Sequence, residues 1–95
     1  MPFQHEMKPY TKESILWLST DQNGVYGIFR DTKAVYIGSG DIKERMLSHF
    51  NGDNPCITQN TPNQWTASVI SGDPTPREGE LIREYNPICN QVIPR

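Results

Sequence analysis

The stretch that decides the fold is residues 24–38, GVYGIFRDTKAVYIG. Branched and aromatic residues dominate residues 25–29 and 34–37, and the polar residues 31–33 between them are typical of a turn. The sequence therefore predicts a β-hairpin. Its tyrosines, Tyr26 and Tyr36, lie ten residues apart, and we expect them on neighbouring strands.

Helix and strand signals lie on both sides of the hairpin. Thr11 suits the N-cap of a helix of about two turns. Asp41 and Glu44 have the capping-box spacing that predicts a helix over residues 42–50. Residues 65–71 alternate between two faces, which predicts a third strand.

The C-terminal half contains one further predicted helix. Residues 52–63 combine prolines and asparagines without periodicity, so we predict a loop. Thr75 and Pro76 are a cap and a first-turn proline, and they predict a helix over residues 76–85. Residues 88–95 are expected to be irregular or briefly extended.

The order helix, strand, strand, helix, strand, helix predicts an α+β fold, with helices flanking a small three-stranded antiparallel sheet. The 95 residues suit a single domain over residues 1–95. Within it we distinguish an N-terminal arm, residues 1–10, and a motif-bearing core, residues 24–90.

Composition limits the classes of function. Nine Lys and Arg against eleven Asp and Glu give a net charge of −2, which provides little of the counterion-release affinity of an autonomous nucleic-acid binder. Cys56 and Cys89 have neither zinc-site spacing nor a disulfide framework, so we expect reduced thiols in an intracellular protein. No targeting peptide or long apolar stretch is present, so we expect no membrane association.

Arg45 and His49 lie one turn apart on the predicted second helix, beside the apolar stripe of that helix. Arginine can hold a phosphate through two hydrogen bonds, and histidine exchanges protons near neutral pH. The alternative is that Arg45 pairs with Glu44, Glu78 or another surface carboxylate while His49 extends into solvent. The tyrosines upstream favour the anion site.

Glu78 lies in line with the apolar residues Leu81, Ile82 and Tyr85 of the last predicted helix. A carboxylate on a buried face is costly unless it is paired or bound to a cation, and Mg²⁺ prefers such oxygen ligands. The alternative is a capping box with Thr75, in which Glu78 only stabilises the helix start.

Local structure offers alternatives for the other candidates. Tyr26 and Tyr36 would by default be cross-strand aromatics. Gly38 suits a strand-end bend or the close approach of a substrate, and Asn90 suits a turn. The two tyrosines followed nine residues later by Arg45 form a far more specific pattern than either tripeptide alone.

This pattern resembles the GIY-YIG nuclease family, and the resemblance runs from Gly24 to Asn90. The matching positions are Tyr26, Tyr36, Gly38, Arg45, His49, Glu78 and Asn90. The chain is most similar to members with a histidine one turn after the arginine. It differs at Ser39, where many members have a lysine that can contact phosphate.

The resemblance implies a mechanism. The first tyrosine deprotonates water with help from the histidine, the arginine contacts the phosphate, and the glutamate binds one divalent cation. We therefore assign catalysis to Tyr26, Tyr36, Arg45, His49 and Glu78, substrate binding to Gly38 and Asn90, and the metal to Glu78. The implied products carry 5′-phosphate and 3′-hydroxyl ends.

The leading hypothesis is an endonuclease that hydrolyses DNA phosphodiester bonds with Mg²⁺ or Mn²⁺. The low positive charge implies help from a targeting protein, a fused recognition domain or a second copy. The alternative is a non-catalytic module that binds nucleic acid or protein on the same scaffold. A zinc-linked interaction domain using His5, His49, Cys56 and Cys89 has irregular spacing and is disfavoured.

Overall fold

The structure, a computed structural model, describes residues 2–90. In chain order its elements are β1 (Lys8–Pro9), α1 (Lys12–Leu16), β2 (Asn23–Arg30), β3 (Lys33–Asp41), α2 (Ile42–Phe50), α3 (Pro55–Gln59), β4 (Gln64–Val69), α4 (Thr75–Tyr85) and a 3₁₀ turn (Ile88–Asn90). None of the helices in this described part is long and apolar enough to cross a bilayer.

The predicted hairpin is confirmed. β2 and β3 pair antiparallel, with Tyr26 opposite Gly38 and Ile28 opposite Tyr36. Asp31 occupies the turn with a positive φ of 54°, a conformation that aspartate adopts more readily than most residues. The two tyrosines lie on neighbouring strands, as the sequence predicts.

The α+β class is confirmed, but the sheet has four antiparallel strands in the order β1-β4-β2-β3 rather than the predicted three. The additional strand belongs to the N-terminal arm, where Lys8 pairs with Trp65 of β4. Phe3 of the same arm packs against Phe29 and Tyr85. A two-residue strand has no sequence signal of its own, because its pairing depends on a distant part of the chain.

The predicted loop over residues 52–63 is wrong in part, because it contains α3. Asn54 caps this helix by accepting a 3.0 Å hydrogen bond from the Cys56 amide. Pro55 takes the first helical position, where its missing N–H costs nothing. By contrast, α2 has its predicted bounds, and Asp41 accepts a 3.2 Å hydrogen bond from the Glu44 amide.

The start of α4 excludes the capping-box interpretation of Glu78. Thr75 is the first helical residue rather than the cap, and the N-cap is Pro74, whose side chain makes no capping hydrogen bond. The Glu78 amide donates instead to the Pro74 carbonyl at 3.0 Å. The Glu78 carboxylate is therefore left for contacts outside its own helix.

Alternate residues of β2 enter two hydrophobic clusters. Tyr26 and Ile28 pack with side chains of α1, α2 and α3, namely Ile15, Ile42, Met46 and Ile57. Val25 packs with Ile37 and with Leu81 of α4. The strands that carry the tyrosines are thus held between helices on both faces, as the alternation of side chains along a strand requires.

The expectation of two reduced cysteines is wrong. Cys56 of α3 and Cys89 of the 3₁₀ turn form a disulfide across 33 residues of sequence. The zinc hypothesis fails for the same reason, because both of its cysteines are bonded to each other. Only the tertiary fold brings the two thiols together, so their spacing carries no sign of the bond.

Candidate active site

The hydroxyl of Tyr26 lies over Gly38 of the neighbouring strand. Tyr26 is buried, with 1% of its surface exposed. A Cβ atom at position 38 would lie 2.4 Å from the Tyr26 hydroxyl oxygen. Position 38 must therefore be glycine, because any side chain there would clash with Tyr26. The binding of substrate by Gly38 stays a prediction.

His49 is buried in the last turn of α2 and contacts both tyrosines. It is 3% exposed, and its Nε2 lies 2.8 Å from the Tyr26 hydroxyl oxygen. The ring of Tyr36 meets the imidazole edge-on, with 5.0 Å between the ring centroids. The alternative that His49 extends into solvent is therefore wrong.

Asp53 completes the contacts of the imidazole, although it belongs to none of the sequence motifs. Its Oδ1 lies 2.9 Å from His49 Nδ1. Gly52, at a φ of +94°, turns the chain back over the end of α2, so that the Asp53 amide donates to the Ser48 carbonyl at 3.2 Å. The available signal was a carboxylate four residues after His49, just beyond an Asn51-Gly52 helix stop.

Arg45 lies on the open side of this cluster. Its side chain is 42% exposed, with Nη2 3.8 Å from Asp53 Oδ2. A guanidinium is always charged at neutral pH, and the neighbouring Tyr26 hydroxyl raises the pKa of Arg45 further. The carboxylate that Arg45 meets is Asp53 rather than Glu44 or Glu78. An ion pair this long between exposed groups contributes little stability, so a phosphate can compete for the guanidinium.

Burial sets the protonation states of the tyrosines and the histidine. It raises the pKa of Tyr26 well above the ordinary value; Tyr36 and Glu78 add to the rise, and Arg45 opposes it. Burial, followed by Glu78, also raises the pKa of Tyr36. Burial lowers the pKa of His49, although Asp53 opposes that change. At neutral pH a protonated phenol therefore faces a neutral imidazole.

Glu78 approaches from α4 at the edge of the sheet formed by β3. Its Oε1 accepts a 2.7 Å hydrogen bond from the Ser39 hydroxyl, next to Gly38. The carboxylate is partly buried, and within residues 2–90 it forms no ion pair. Such a carboxylate suits a hard cation.

A cation at Glu78 would need ligands from outside the protein. Across the described residues, no group of three or more His, Cys, Asp or Glu side chains could hold a metal ion. Mg²⁺ usually keeps several waters and binds through one or two carboxylates plus substrate phosphates. The donor set therefore fits an ion shared with a phosphate ligand.

Asn90 is bound to the outer edge of β3. Its Oδ1 accepts a 2.8 Å hydrogen bond from the Ile37 amide, and its Nδ2 donates to the Ile37 carbonyl at 2.9 Å. The side chain thus pairs with the strand between Tyr36 and Gly38, instead of capping its own turn. Its predicted role in substrate binding stays a prediction.

The sequence matches the model of the GIY-YIG catalytic domain over residues 22–90, most of the chain. The chain belongs to the GIY-YIG family. The matched range contains all seven candidate site residues. The structure brings five of them together, Tyr26, Tyr36, Gly38, Arg45 and His49, and it places Glu78 beside Ser39.

Solved structures share the fold of this GIY-YIG chain. The GIY-YIG N-terminal endonuclease domain of UvrC from Thermotoga maritima, bound to its catalytic divalent cation magnesium, superposes with a TM-score of 0.69 at 22% identity. The match covers 82% of this chain and 97% of the UvrC domain. A tyrosine-to-phenylalanine variant of that domain gives a TM-score of 0.72 at 22% identity, covering 86% and 100% of the two chains. No curated protein matches the chain.

The site brings together an imidazole, a positive charge and a carboxylate. The imidazole of His49 is in contact with the Tyr26 hydroxyl, and the positive charge is that of Arg45. Glu78 supplies the carboxylate, which accepts a hydrogen bond from the Ser39 hydroxyl. This combination can move a proton next to a bound phosphate.

Proposed function

We propose that the chain is an endonuclease that hydrolyses DNA phosphodiester bonds with the help of a divalent cation, leaving 5′-phosphate and 3′-hydroxyl ends. The observation that carries the proposal is the buried 2.8 Å hydrogen bond between Tyr26 and His49 Nε2. A phenol whose pKa is raised by burial stays protonated at neutral pH, so it cannot accept the proton of a water molecule unless it passes on its own. A neutral imidazole in contact with it supplies the missing acceptor.

The proton of the attacking water would move in two linked transfers. The water gives a proton to the Tyr26 oxygen while the phenolic proton passes to His49 Nε2, so no free phenolate accumulates. The water oxygen forms the new P–O bond, and the bond from phosphorus to the 3′-oxygen breaks. Solvent protonates that oxygen, which yields the two proposed ends.

Arg45 would hold the scissile phosphate. Its guanidinium is charged, lies beside the Tyr26 hydroxyl, and is open to solvent on one side. A planar fork of donors binds two phosphate oxygens at once and stabilises charge that develops on them. Substrate bound in this way has its phosphorus close to the water that Tyr26 deprotonates.

Glu78 would hold the cation, with Mg²⁺ or Mn²⁺ as candidates. When bound, a divalent cation stabilises the leaving oxygen and polarises the phosphate. The hydroxyl of Ser39 orients one carboxylate oxygen. Tyr36 would support catalysis by packing against the His49 ring, and Asn90 by fixing β3 beside Gly38.

The partners follow from the charge of the chain. A net charge of −2 gives weak electrostatic attraction to DNA. We therefore expect residues 1–95 to act as one catalytic domain that a targeting protein, a fused recognition domain or a second copy brings to DNA. The matching UvrC domain is itself the N-terminal domain of a larger protein.

Plasmid nicking tests the proposal. Supercoiled DNA is incubated with the purified chain and Mg²⁺ or Mn²⁺, with EDTA as a control, beside Tyr26→Phe and Glu78→Ala. We expect nicking by the parent only, with DNA binding retained by Tyr26→Phe. Binding without cleavage of supercoiled, branched or nicked DNA by the parent would instead indicate the non-catalytic module.

A pH profile tests the proton path. Single-turnover cleavage should rise with pH as His49 loses its proton, because the imidazolium cannot accept from Tyr26. His49→Ala should leave a residual rate that recovers at high pH, where solvent takes the proton. If Tyr26→Phe cuts at the parental rate across the profile, Tyr26 is only a core aromatic.

A further inference from the structure

The outer nitrogen of His49 is bound to Asp53, a residue outside the seven family-matched positions. We infer that Asp53 is a positioning residue, which fixes the tautomer and ring orientation of His49 so that Nε2 is the unprotonated nitrogen facing Tyr26. The catalytic consequence rests on the proposed function. The tautomer itself can be measured without any activity.

The hydrogen bonds leave one consistent assignment. Asp53 Oδ1 lies 2.9 Å from Nδ1 and the Tyr26 hydroxyl lies 2.8 Å from Nε2. An ionised carboxylate only accepts hydrogen bonds, so Nδ1 must donate. A neutral imidazole has one N–H, so Nε2 then carries the lone pair and the Tyr26 hydroxyl donates to it. In the other tautomer Nε2 carries the proton, so it could not accept the phenolic proton of Tyr26.

Within residues 2–90, no other group beside the imidazole can play this part. From β2 and β3 it faces Tyr26 and Tyr36, both neutral phenols, and from α2 it faces Arg45, which has no acceptor. Among the described residues, Asp53 is the only acceptor in hydrogen-bond contact with Nδ1.

Asp53 itself interacts with four groups from different parts of the fold. Arg45 and His49 project from α2, Tyr36 lies on β3, and Tyr10 projects from the segment after β1. Burial, with Asp53 as a second cause, raises the pKa of Tyr10 to about 12, so this phenol stays neutral. Among these neighbours, His49 Nδ1 makes the 2.9 Å hydrogen-bond contact with the Asp53 carboxylate.

Helix stability does not explain an aspartate at this place. Asp53 follows the C-terminal end of α2, where the helix dipole disfavours negative charge. Its side chain is 39% exposed, and its contact with Arg45 is 3.8 Å long, which makes that ion pair weak. The favourable contact of Asp53 is the one with His49.

The first test is the tautomer in the wild-type chain. The chain has two histidines, His5 and His49, so nitrogen-15 NMR of the imidazoles is easily assigned. We expect a proton on Nδ1 and none on Nε2 of His49, with exposed His5 as an internal reference. Asp53→Asn should mix or reverse the two forms, because an amide can donate to Nδ1.

The second test is kinetic. Asp53→Asn should lower the single-turnover rate by at least about 100-fold, with DNA affinity unchanged or higher because a negative charge is lost. The acid limb of the pH profile should move to lower pH, since the imidazolium loses a stabilising charge. Local unfolding would expose His49 and move that limb the opposite way. Asp53→Glu should recover part of the rate.

The control is Asp31→Asn, which removes the same charge at the hairpin turn. Asparagine accepts the positive φ of this position, 54°, so we expect the parental rate and the parental His49 spectrum.

Two results would overturn the inference. One is a wild-type spectrum with the proton on Nε2 of His49, and the other is cleavage by Asp53→Asn at the parental rate. If the parent cuts no DNA, the proposed function fails and the spectrum still decides the role of Asp53.

Discussion

Gly38 leaves the space that the Tyr26 hydroxyl occupies. In Gly38→Ala the new Cβ would lie 2.4 Å from the hydroxyl oxygen, inside a strand that cannot easily shift. We expect a loss of about 1 to 3 kcal/mol in the free energy of unfolding, measured in urea, together with loss of cleavage as Tyr26 is displaced. Gly79→Ala is the control: its nearest neighbour is a flexible arginine end at 3.5 Å, so it should stabilise the chain by up to about 1 kcal/mol.

Arg45→Lys separates charge from geometry. Lysine keeps the positive charge but cannot bind two phosphate oxygens through a planar fork. Turnover should fall about 30-fold or more, which corresponds to a loss of about 2 kcal/mol or more of transition-state stabilisation. Arg83→Lys, an exposed change on α4, should have no effect. Parental turnover in the Arg45→Lys variant would mean that the guanidinium does not hold the phosphate.

At the scale of elements, the local signals of the sequence were reliable. The turn at residues 31–33 and the cap at Asp41 depend on neighbours in sequence, and both are confirmed. The helix after Asn54 had a comparable cap-and-proline signal, yet surrounding polar residues concealed it. β1 has no such signal, because Lys8 is a strand residue only by virtue of Trp65.

The candidate site shows the same division. Spacing and family resemblance indicated Tyr26, Arg45 and Glu78. The contact of Asp53 with His49 was missed because it depends on the left-handed turn at Gly52, which redirects the chain after α2. Such a contact depends on backbone geometry, so the spacing of residues in the sequence predicts it only weakly.

The contact of Glu78 with Ser39 yields a prediction about cleavage and stability. The carboxylate accepts a hydrogen bond from Ser39 rather than capping the helix start, so Glu78→Ala should abolish metal-dependent cleavage in a chain that stays folded. Loss of that hydrogen bond should lower the free energy of unfolding by about 1 to 2 kcal/mol. Calorimetric titration with Mn²⁺ in the presence of DNA should lose its site-specific signal. A less stable variant that still cuts would contradict the assignment as a metal ligand.

At the scale of the whole molecule, charge and covalent linkage affect separate properties. The acidic balance limits how tightly the chain holds DNA alone. The Cys56–Cys89 disulfide instead ties α3 to the turn that carries Asn90, and Asn90 holds β3 at Ile37. Residues far apart in sequence thus fix the strand that contains Tyr36 and Gly38.

Closing a loop of 33 residues restricts the unfolded chain, which predicts a stabilisation of about 3 to 4 kcal/mol. Urea unfolding of the wild-type chain should therefore shift to a lower midpoint when a reductant is added. The Cys56→Ser/Cys89→Ser double variant should unfold near that lower midpoint with or without reductant, which separates the bond from other effects of the reagent. The prediction is wrong if the wild-type chain unfolds at the same urea concentration with and without reductant and the native protein contains two free thiols. The disulfide would then not form in solution.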